Sequence, residues 1–426
     1  MTARDQAIAA RAAMPALLRA GTQGRVAALN RMADALVARE AEILAANALD
    51  VGEAAEAVAA GKLSSALAAR LDLSRSKLAV LADGIRAIAS MDEPIGRKLR
   101  HTEVASGMDL RLETTPIGVL LIIFESRPDA LPQLAALALR AGDALVLKGG
   151  AEASRSNAIL HEVLCDALAP ELPRAVLQLV RTREEVGELL ALDDVIDLVI
   201  PRGSNALVRA IQSNTRIPVL GHADGVCHVF VDVDADIDMA RRIVTDAKKD
   251  YPAACNAMET LLVHRALVTA GHLPSLLGAL DGVTLFAHPE QTVELGLPAA
   301  PSLHHEYGDL AATVAIVDDV AAAIAHIRRW GSAHTDAIVT ANAATADRFI
   351  ADVDSACVFW NASTRFADGY RFGLGGEVGV STARLHARGP VGVDGLLTSR
   401  WVLQGSGQTV TMTRTGEVAY THRPLP

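Results

Sequence analysis

The stretch "GVLLIIFESRPDALPQLAALALRAGDALVLKGG" (Gly118–Gly150) decides the fold. "GVLLIIF" is an unbroken apolar run that ends in polar residues, as expected of a strand covered on both faces. "PDALPQLAALALRAG" spaces its apolar residues as a helix does and ends on a glycine. "ALVLK" then reads as a second strand. The succession continues with a helix from about Ala153 to Leu168, the strand "AVLQLV", the helix "REEVGELLAL", the strand "VIDLVI" and the helix "SNALVRAIQ". Four βα units in a row predict a parallel sheet with helices on both faces.

On the N-terminal side, residues from about 2 to 90 read as helices, and "SGMDLRLETTPIG" reads as an extended arm leaving them. On the C-terminal side a second α/β series begins near "CNAMETLLVH" and continues through "TVAIVD", "VAAAIAHIRRW", "AIVT", "AATADRFIADV" and "ACVFW". After about residue 370 the chain is glycine-rich. Alternation in "GQTVTMTRTGEVAY" then predicts a final hairpin, paired with the arm near residue 108 or with a neighbouring subunit.

The chain has 426 residues, which at roughly 100–200 per domain predicts two or three domains. Half the residues are hydrophobic, enough for a large core. The net charge of −10 disfavours a phosphate-backbone binder, which needs a basic face. "IGVLLIIF" falls well short of the ~20 apolar residues of a membrane helix, and Arg11 and Arg19 interrupt the apolar runs of the first twenty residues. The expected compartment is the cytoplasm, where the four cysteines stay reduced.

Ligands of open parallel sheets bind beyond the carboxyl ends of the strands. There the chain places "ESRP" (Glu125–Pro128), Lys148-Gly149-Gly150, Arg202-Gly203-Ser204 and "NASTRF" (Asn361–Phe366). Four cationic, polar or glycine-bearing strand ends point to an anionic ligand, since glycines and helix N-termini admit a phosphate to backbone N–H groups. The common glycine fingerprints and zinc-hydrolase motifs are absent. No C-x-x-C occurs, and His304-His305 has no partners at metal spacing, so no metal is expected. Cysteine is left as the candidate nucleophile. Cys165, Cys227 and Cys357 sit in apolar helix or strand patterns and read as core. Cys255, in "YPAACNAMETLLVH" (Tyr251–His264), has small neighbours that leave access; local sequence alone leaves it open between packing and nucleophile.

"YPAACNAMETLLVH", "NASTRFADGYRFGLGGEVGVSTARLHARGP", "PIGVLLIIFESRPDAL", "VLKGGAEASRSN" and "VLGHADGVCHVFVD" together resemble the gamma-glutamyl phosphate reductase (glutamate-5-semialdehyde dehydrogenase) family of the aldehyde dehydrogenase superfamily, from about residue 5 to 418. The resemblance implies an aldehyde dehydrogenase-like α/β fold. Residues 1–100 and 114–248 would form the dinucleotide-binding domain and 249–375 the catalytic domain. Segments 101–113 and 396–426 would form an oligomerisation arm and hairpin, and 376–395 a return to the cofactor domain. It also implies an NADPH-dependent oxidoreductase that reduces L-glutamyl 5-phosphate to the semialdehyde, the second step of proline biosynthesis. A homo-oligomer and a functional association with glutamate 5-kinase follow from the same resemblance.

Cys255 matches the superfamily nucleophile, which forms a thioester as phosphate leaves. Its backbone N–H and Ser126 would stabilise the oxyanion; general aldehyde dehydrogenases have an asparagine where Ser126 stands. Lys148, Gly149 and Gly150 match the adenine-ribose and phosphate position of NADP. Arg202, Gly203 and Ser204 suit the pyrophosphate, and Glu306 matches a nicotinamide-ribose contact. Arg127, Asn361, Ser363, Thr364 and Arg365 are the candidates for the substrate's carboxylate and phosphate. Hydrolytic aldehyde dehydrogenases carry a glutamate base where this chain has "LGHADG"; its absence suits an enzyme whose thioester must be spared from water. No histidine neighbours Cys255 in sequence, so backbone donors and the cofactor are expected to acidify the thiol.

Overall fold

A computed structural model describes residues 1–426 apart from Ser126, Thr182, Arg183 and Ala223, and apart from the side chains of Ser65, Ala66 and Glu184. Ser126, the expected oxyanion donor, therefore lies outside the described residues. The chain divides into two compact units: one of Met1–Leu220, Leu374–Gly379 and Val391–Pro426, and one of Gly221–Gly373 and Val380–Pro390.

The first unit opens with helices α1 (Ala3–Arg19), α2 (Gly21–Ala38), α3 (Glu40–Ala59), α4 (Ser65–Ala69) and α5 (Arg75–Ala89). Two arm strands follow, β1 (Lys98–Ala105) and β2 (Met108–Pro116). The βα series is then β3 (Val119–Phe124), α6 (Ala130–Ala141), β4 (Ala144–Lys148), α7 (Ser154–Leu168), β5 (Leu177–Val180), α8 (Glu184–Leu190), β6 (Leu198–Arg202) and α9 (Asn205–Ser213). All six residues of β3 are buried, because the sheet is covered on both faces. Helix α6 ends where Gly142 adopts φ 85°, a left-handed cap that glycine takes without steric cost. The strand order is β5-β4-β3-β6, all parallel, with Leu121 level with Val146 on one side and Val199 on the other. The order reverses between β3 and β6, so the crevice at their carboxyl ends is the topological switch point.

The second unit is a six-stranded parallel sheet built from β7 (Cys227–Val231), α10 (Ile237–Lys249), β8 (Met258–His264), α11 (Arg265–Thr269), α12 (Leu273–Gly278), β9 (Thr284–Ala287), α13 (Thr292–Leu295), β10 (Ala311–Val317), α14 (Val320–Trp330), β11 (Thr335–Val339), α15 (Ala343–Asp352) and β12 (Cys357–Trp360). Its order is β12-β11-β7-β8-β10-β9. Strand β7 lies at its centre, with Val229 level with Leu261 of β8 and Ala337 of β11. The expected boundary at residue 248 is therefore corrected to residue 220: β7 and α10 belong to the second sheet and cannot leave it without opening two ladders. The four anion-suited strand ends also fall on two sheets. Those after β3, β4 and β6 lie on the first, and Asn361–Phe366 follows β12 on the second.

The remaining elements are the short pair β13 (Val380–Ser381) and β14 (Gly389–Pro390), then β15 (Leu397–Gln404), α16 (Val410–Arg414) and β16 (Tyr420–Pro424). The arm is a four-stranded antiparallel sheet ordered β15-β2-β1-β16, which joins the end of the chain to the strands near residue 108. The expected hairpin over 407–420 differs in detail. Its alternating Thr-Val-Thr-Met-Thr run is the helix α16, capped by the Thr409 side chain, which accepts from the Met412 amide. That cap offers the backbone a helical start that alternation alone does not reveal. Among the described residues no helix is long and apolar enough to cross a membrane.

Candidate active site

Cys255 sits on the turn that carries the chain from α10 into β8. The Asp236 side chain caps α10, and Lys248 and Lys249 occupy its last turn, where cations suit the helix dipole. The chain then turns tightly: the Ala254 amide donates to the Tyr251 carbonyl (3.1 Å) and the Ala257 amide to the Ala254 carbonyl (2.9 Å). Of the four free cysteines, Cys255 alone is half-buried and the others are buried. Burial pushes the Cys165 thiol up to about 12 and the Cys227 thiol well above its ordinary value, which leaves both protonated and inert. The core reading of Cys165, Cys227 and Cys357 agrees with this.

The turn is clamped from several sides. A Cβ on Gly225 would lie 2.2 Å from the Cys255 carbonyl oxygen, so only glycine permits the approach. The Cys227 thiol donates to that same carbonyl at 3.2 Å. Asn256 donates to the Ala367 carbonyl (2.9 Å) and accepts from Arg365. Arg365 also donates to Asp250 (3.1 Å), which Arg371 reaches as well (3.3 Å). Behind the turn, Lys248 and Glu259 form an ion pair at 2.9 Å, both fully buried. The Glu259 carboxylate further accepts from the Tyr307 (3.2 Å) and Gly308 (3.4 Å) amides. Burial pushes this carboxyl up to about 7, against the pull of Lys248 and those two amides.

Two histidines approach the sulfur. A ring nitrogen of His222, a ring nitrogen of His334 and Cys255 Sγ all lie within 4.8 Å of one another. Beside the backbone donors and cofactor expected there, imidazole is also near, brought by the "LGHADG" loop and by the residue that precedes β11. Both lie far from Cys255 in sequence, so no local pattern pointed to them.

The other expected site residues fall into three groups. Glu306 accepts from the Gly225 amide at 3.0 Å, which ties its loop to the glycine beneath Cys255. Asn361, at φ 55°, closes a pair with Thr340: its Oδ1 accepts from the Thr340 amide (2.9 Å) and its Nδ2 donates to the Thr340 carbonyl (3.0 Å). This left-handed residue, a conformation asparagine tolerates, turns the chain back so that Arg365 reaches the Cys255 turn. Ser363 and Thr364 are buried, with Ser363 capping the short turn that carries Arg365. Arg365, Asn361 and Ser363 thus bind protein groups that hold the Cys255 turn, while Arg127 in the first unit is half-exposed and pairs with Asp129 (3.1 Å).

At the switch point of the first unit, Lys148 ends β4, and its ammonium donates to the Gly149 carbonyl. A Cβ on Gly149 would lie 2.2 Å from the Asn157 side chain, and one on Gly203 would lie 2.3 Å from the Glu125 carboxylate. The Ser204 amide, which opens α9, donates to Glu125 Oε2 at 2.8 Å. A carboxylate is thus received at this helix N-terminus, the place expected to receive a pyrophosphate. Arg202 donates to the Glu377 carbonyl at 3.1 Å. The space that these glycines leave is filled by the Asn157 side chain and the Glu125 carboxylate, so a phosphate taken up at the Ser204 amide would have to displace Glu125.

A doubly wound parallel sheet in one unit and, in the other, a second parallel sheet with a half-buried cysteine on the turn before a central strand match an aldehyde dehydrogenase-type architecture. Residues 2–296 match the model of the aldehyde dehydrogenase family. Gamma-glutamyl phosphate reductase of Synechococcus sp. (strain WH7803) is 48% identical over 406 residues, covering 94% of this chain and 92% of that protein. The crystal structure of gamma-glutamyl phosphate reductase from Thermotoga maritima superposes with a TM-score of 0.91 at 33% identity, covering 96% of this chain and 100% of that one. Delta-1-pyrroline-5-carboxylate synthase B of Arabidopsis thaliana is 54% identical across 100% of this chain, which spans 58% of that longer protein. The chain belongs to the aldehyde dehydrogenase family and, within it, to the gamma-glutamyl phosphate reductases.

Proposed function

We propose that this chain reduces L-glutamyl 5-phosphate to L-glutamate 5-semialdehyde and phosphate with NADPH, the second step of proline biosynthesis from glutamate. The family membership carries the reaction, and Cys255, half-buried on its clamped turn, supplies the nucleophile. As thiolate, Cys255 attacks the acyl carbon; the carbonyl electrons shift to oxygen, then return as the C–O bond to phosphate breaks, leaving a thioester. The Cys255 backbone N–H is the proposed donor to the oxyanion. The nicotinamide, when bound, supplies the hydride that takes the thioester to the aldehyde level. Lys148, Gly149 and Gly150 would hold the adenine ribose with its 2′-phosphate, and Arg202, Gly203 and Ser204 the pyrophosphate. A lysine at that position suits the extra phosphate of NADP.

The arm sheet is the proposed site of homo-oligomer contact, since it leaves Leu99, Trp401, Leu403 and Tyr420 exposed. Functional association with a glutamate 5-kinase would shelter the labile acyl phosphate, and the cytoplasm is the proposed compartment. The test is NADP⁺ reduction with glutamate semialdehyde, with and without phosphate, on wild type and Cys255→Ser. Strict phosphate dependence and loss of turnover in the folded variant are expected. Turnover to free acid without phosphate, or full activity of Cys255→Ser, would sink the proposal.

A further inference from the structure

We propose that His222, Cys255 and His334 form a binding site for a borderline-soft divalent cation of the Zn²⁺ class, whose occupancy withdraws the Cys255 sulfur from reaction. The first half stands on geometry. The second rests on Cys255 being the nucleophile. One donor atom from each residue lies within 4.8 Å of the other two. Tetrahedral zinc, with bonds of about 2.0 Å to nitrogen and 2.3 Å to sulfur, sets its donors about 3.3–3.5 Å apart, so closure asks for roughly 1 Å of convergence. His222 and Cys255 are half-buried on loops, which gives that adjustment and a route for the ion.

Two further observations concern the rings. His334 is fully buried, and its Nε2 is buried without a hydrogen-bond partner. Its other nitrogen is engaged, with Nδ1 2.9 Å from the Thr335 hydroxyl. A buried polar atom left without a partner is costly, and a metal ion is one way to satisfy it. His222 Nδ1 lies 2.8 Å from the Val380 carbonyl oxygen. A carbonyl accepts only, so Nδ1 carries the proton and Nε2 keeps its lone pair. A carbonyl-anchored imidazole with its free nitrogen turned to a metal is the usual outer-shell arrangement of histidine ligands. The two rings stand edge to face with centroids 4.7 Å apart.

The donor set of two imidazoles and one thiolate selects Zn²⁺, Co²⁺ or Cu²⁺ over the oxygen-seeking Mg²⁺ and Ca²⁺. Three protein donors leave the fourth position to water, as in open zinc sites. Coordination replaces the thiol proton, which passes to buffer, and no electron changes hands. A sulfur lone pair given to the metal no longer attacks an acyl carbon, so the ion acts as a reversible block on the thiol.

The test is titration of the metal-free chain with Co²⁺ alone. One equivalent is expected to produce a thiolate-to-cobalt charge-transfer band and the intense visible bands of a tetrahedral ion, and Zn²⁺ should bleach both. Cys255→Ser should abolish the charge-transfer band. His222→Gln, a half-exposed loop change chosen because a buried His334 variant risks misfolding, should weaken binding by at least the roughly 10–100-fold that loss of an outer-shell partner costs. Zn²⁺ should also protect Cys255 from alkylation, and a chelator should reverse the protection. No charge-transfer band in wild type, or a band that survives Cys255→Ser, overturns the site. The two readings separate cleanly: Cys255→Ser that loses the band but keeps full turnover supports the metal site and removes the thioester mechanism.

Discussion

Replacing Lys248 with methionine should destabilise the second unit, and by an amount that grows with pH. Lys248 and Glu259 are both fully buried and 2.9 Å apart. Removing one member of such a pair leaves the other charge in the interior, a change that costs about 3–5 kcal/mol. At about 2–4 °C per kcal/mol for a unit of this size, the melting transition should fall by roughly 6–20 °C at pH 8. The pH dependence follows from the carboxyl. Burial is the largest influence on Glu259 and raises it from 4.5 to about 7, so the folded state holds this proton more tightly than the unfolded one. A raised carboxyl contributes stability that is present below the unfolded value and is lost as pH rises through the folded one. Without the Lys248 ammonium, one of the groups that pull Glu259 down is gone, and the carboxyl rises further. At pH 5 the variant then holds a neutral acid beside methionine and differs little from wild type. At pH 8 it must hold an uncompensated carboxylate or take up a proton against the solvent. Calorimetric unfolding of both proteins from pH 5 to 8 measures the difference. A penalty that is flat with pH, or below about 1 kcal/mol at pH 8, refutes the reasoning, because neither fits an uncompensated buried charge. Lys248→Met combined with Glu259→Leu should recover much of the loss, since an apolar pair leaves no charge behind.

Two other substitutions probe the Cys255 turn. Gly225→Ala places a methyl 2.2 Å from the Cys255 carbonyl oxygen and must shift the turn; turnover should fall about 100-fold, as for a 1 Å misplacement, the melting temperature should fall as well because the clash is with backbone, and wild-type kinetics would show that Gly225 does not set the position of Cys255. Arg365→Gln removes the fork shared by Asp250 and Asn256, so kcat should drop while KM for the acyl phosphate holds; a rise confined to KM would return Arg365 to direct substrate binding.

What the sequence disclosed follows the range of the forces involved. The βα succession from Gly118 onward was legible because each strand is buried on both faces and each helix on one, and those demands write a local pattern. The arm's pairing with the chain's end was one of two readings the sequence left open, a neighbouring subunit being the other, because extended segments alone do not name their partner. The boundary near residue 220 was not, because β7 looks like any buried strand and only its ladders to β8 and β11 assign it to the second sheet. Helix α16 was missed because a β-branched run argues for a strand unless its capping threonine is weighed. At the site, small neighbours marked Cys255 as accessible, but local sequence left it open between packing and nucleophile, and the family resemblance made the choice. The groups that surround it carried no such mark: His222 and His334 precede β7 and β11, and Arg365 arrives through the left-handed turn at Asn361. Contacts made by strands that are neighbours in the sheet and distant in the chain leave no periodic trace.

On the proposed mechanism, the partners of Glu259, Glu306 and Asp224 bear on why a thioester at Cys255 would be taken by phosphate rather than by water. Glu259 is bound by Lys248 and two amides, Glu306 accepts from the Gly225 amide, and Asp224 lies 3.6 Å from His304. Each is held by a protein partner, and together they hold the loops that shape the turn. The segment in which hydrolytic members of the superfamily place a glutamate base supplies different parts here. Gly225 lets the Cys255 carbonyl pass, and His222 brings a ring nitrogen within 4.8 Å of the sulfur. A glutamate base at the position where hydrolytic members carry one would draw a water proton and turn the thioester toward hydrolysis. The one carboxylate of that segment is Asp224, 3.6 Å from His304, and no glutamate stands there, which on the proposed mechanism is the division of labour that an acyl-phosphate reductase requires.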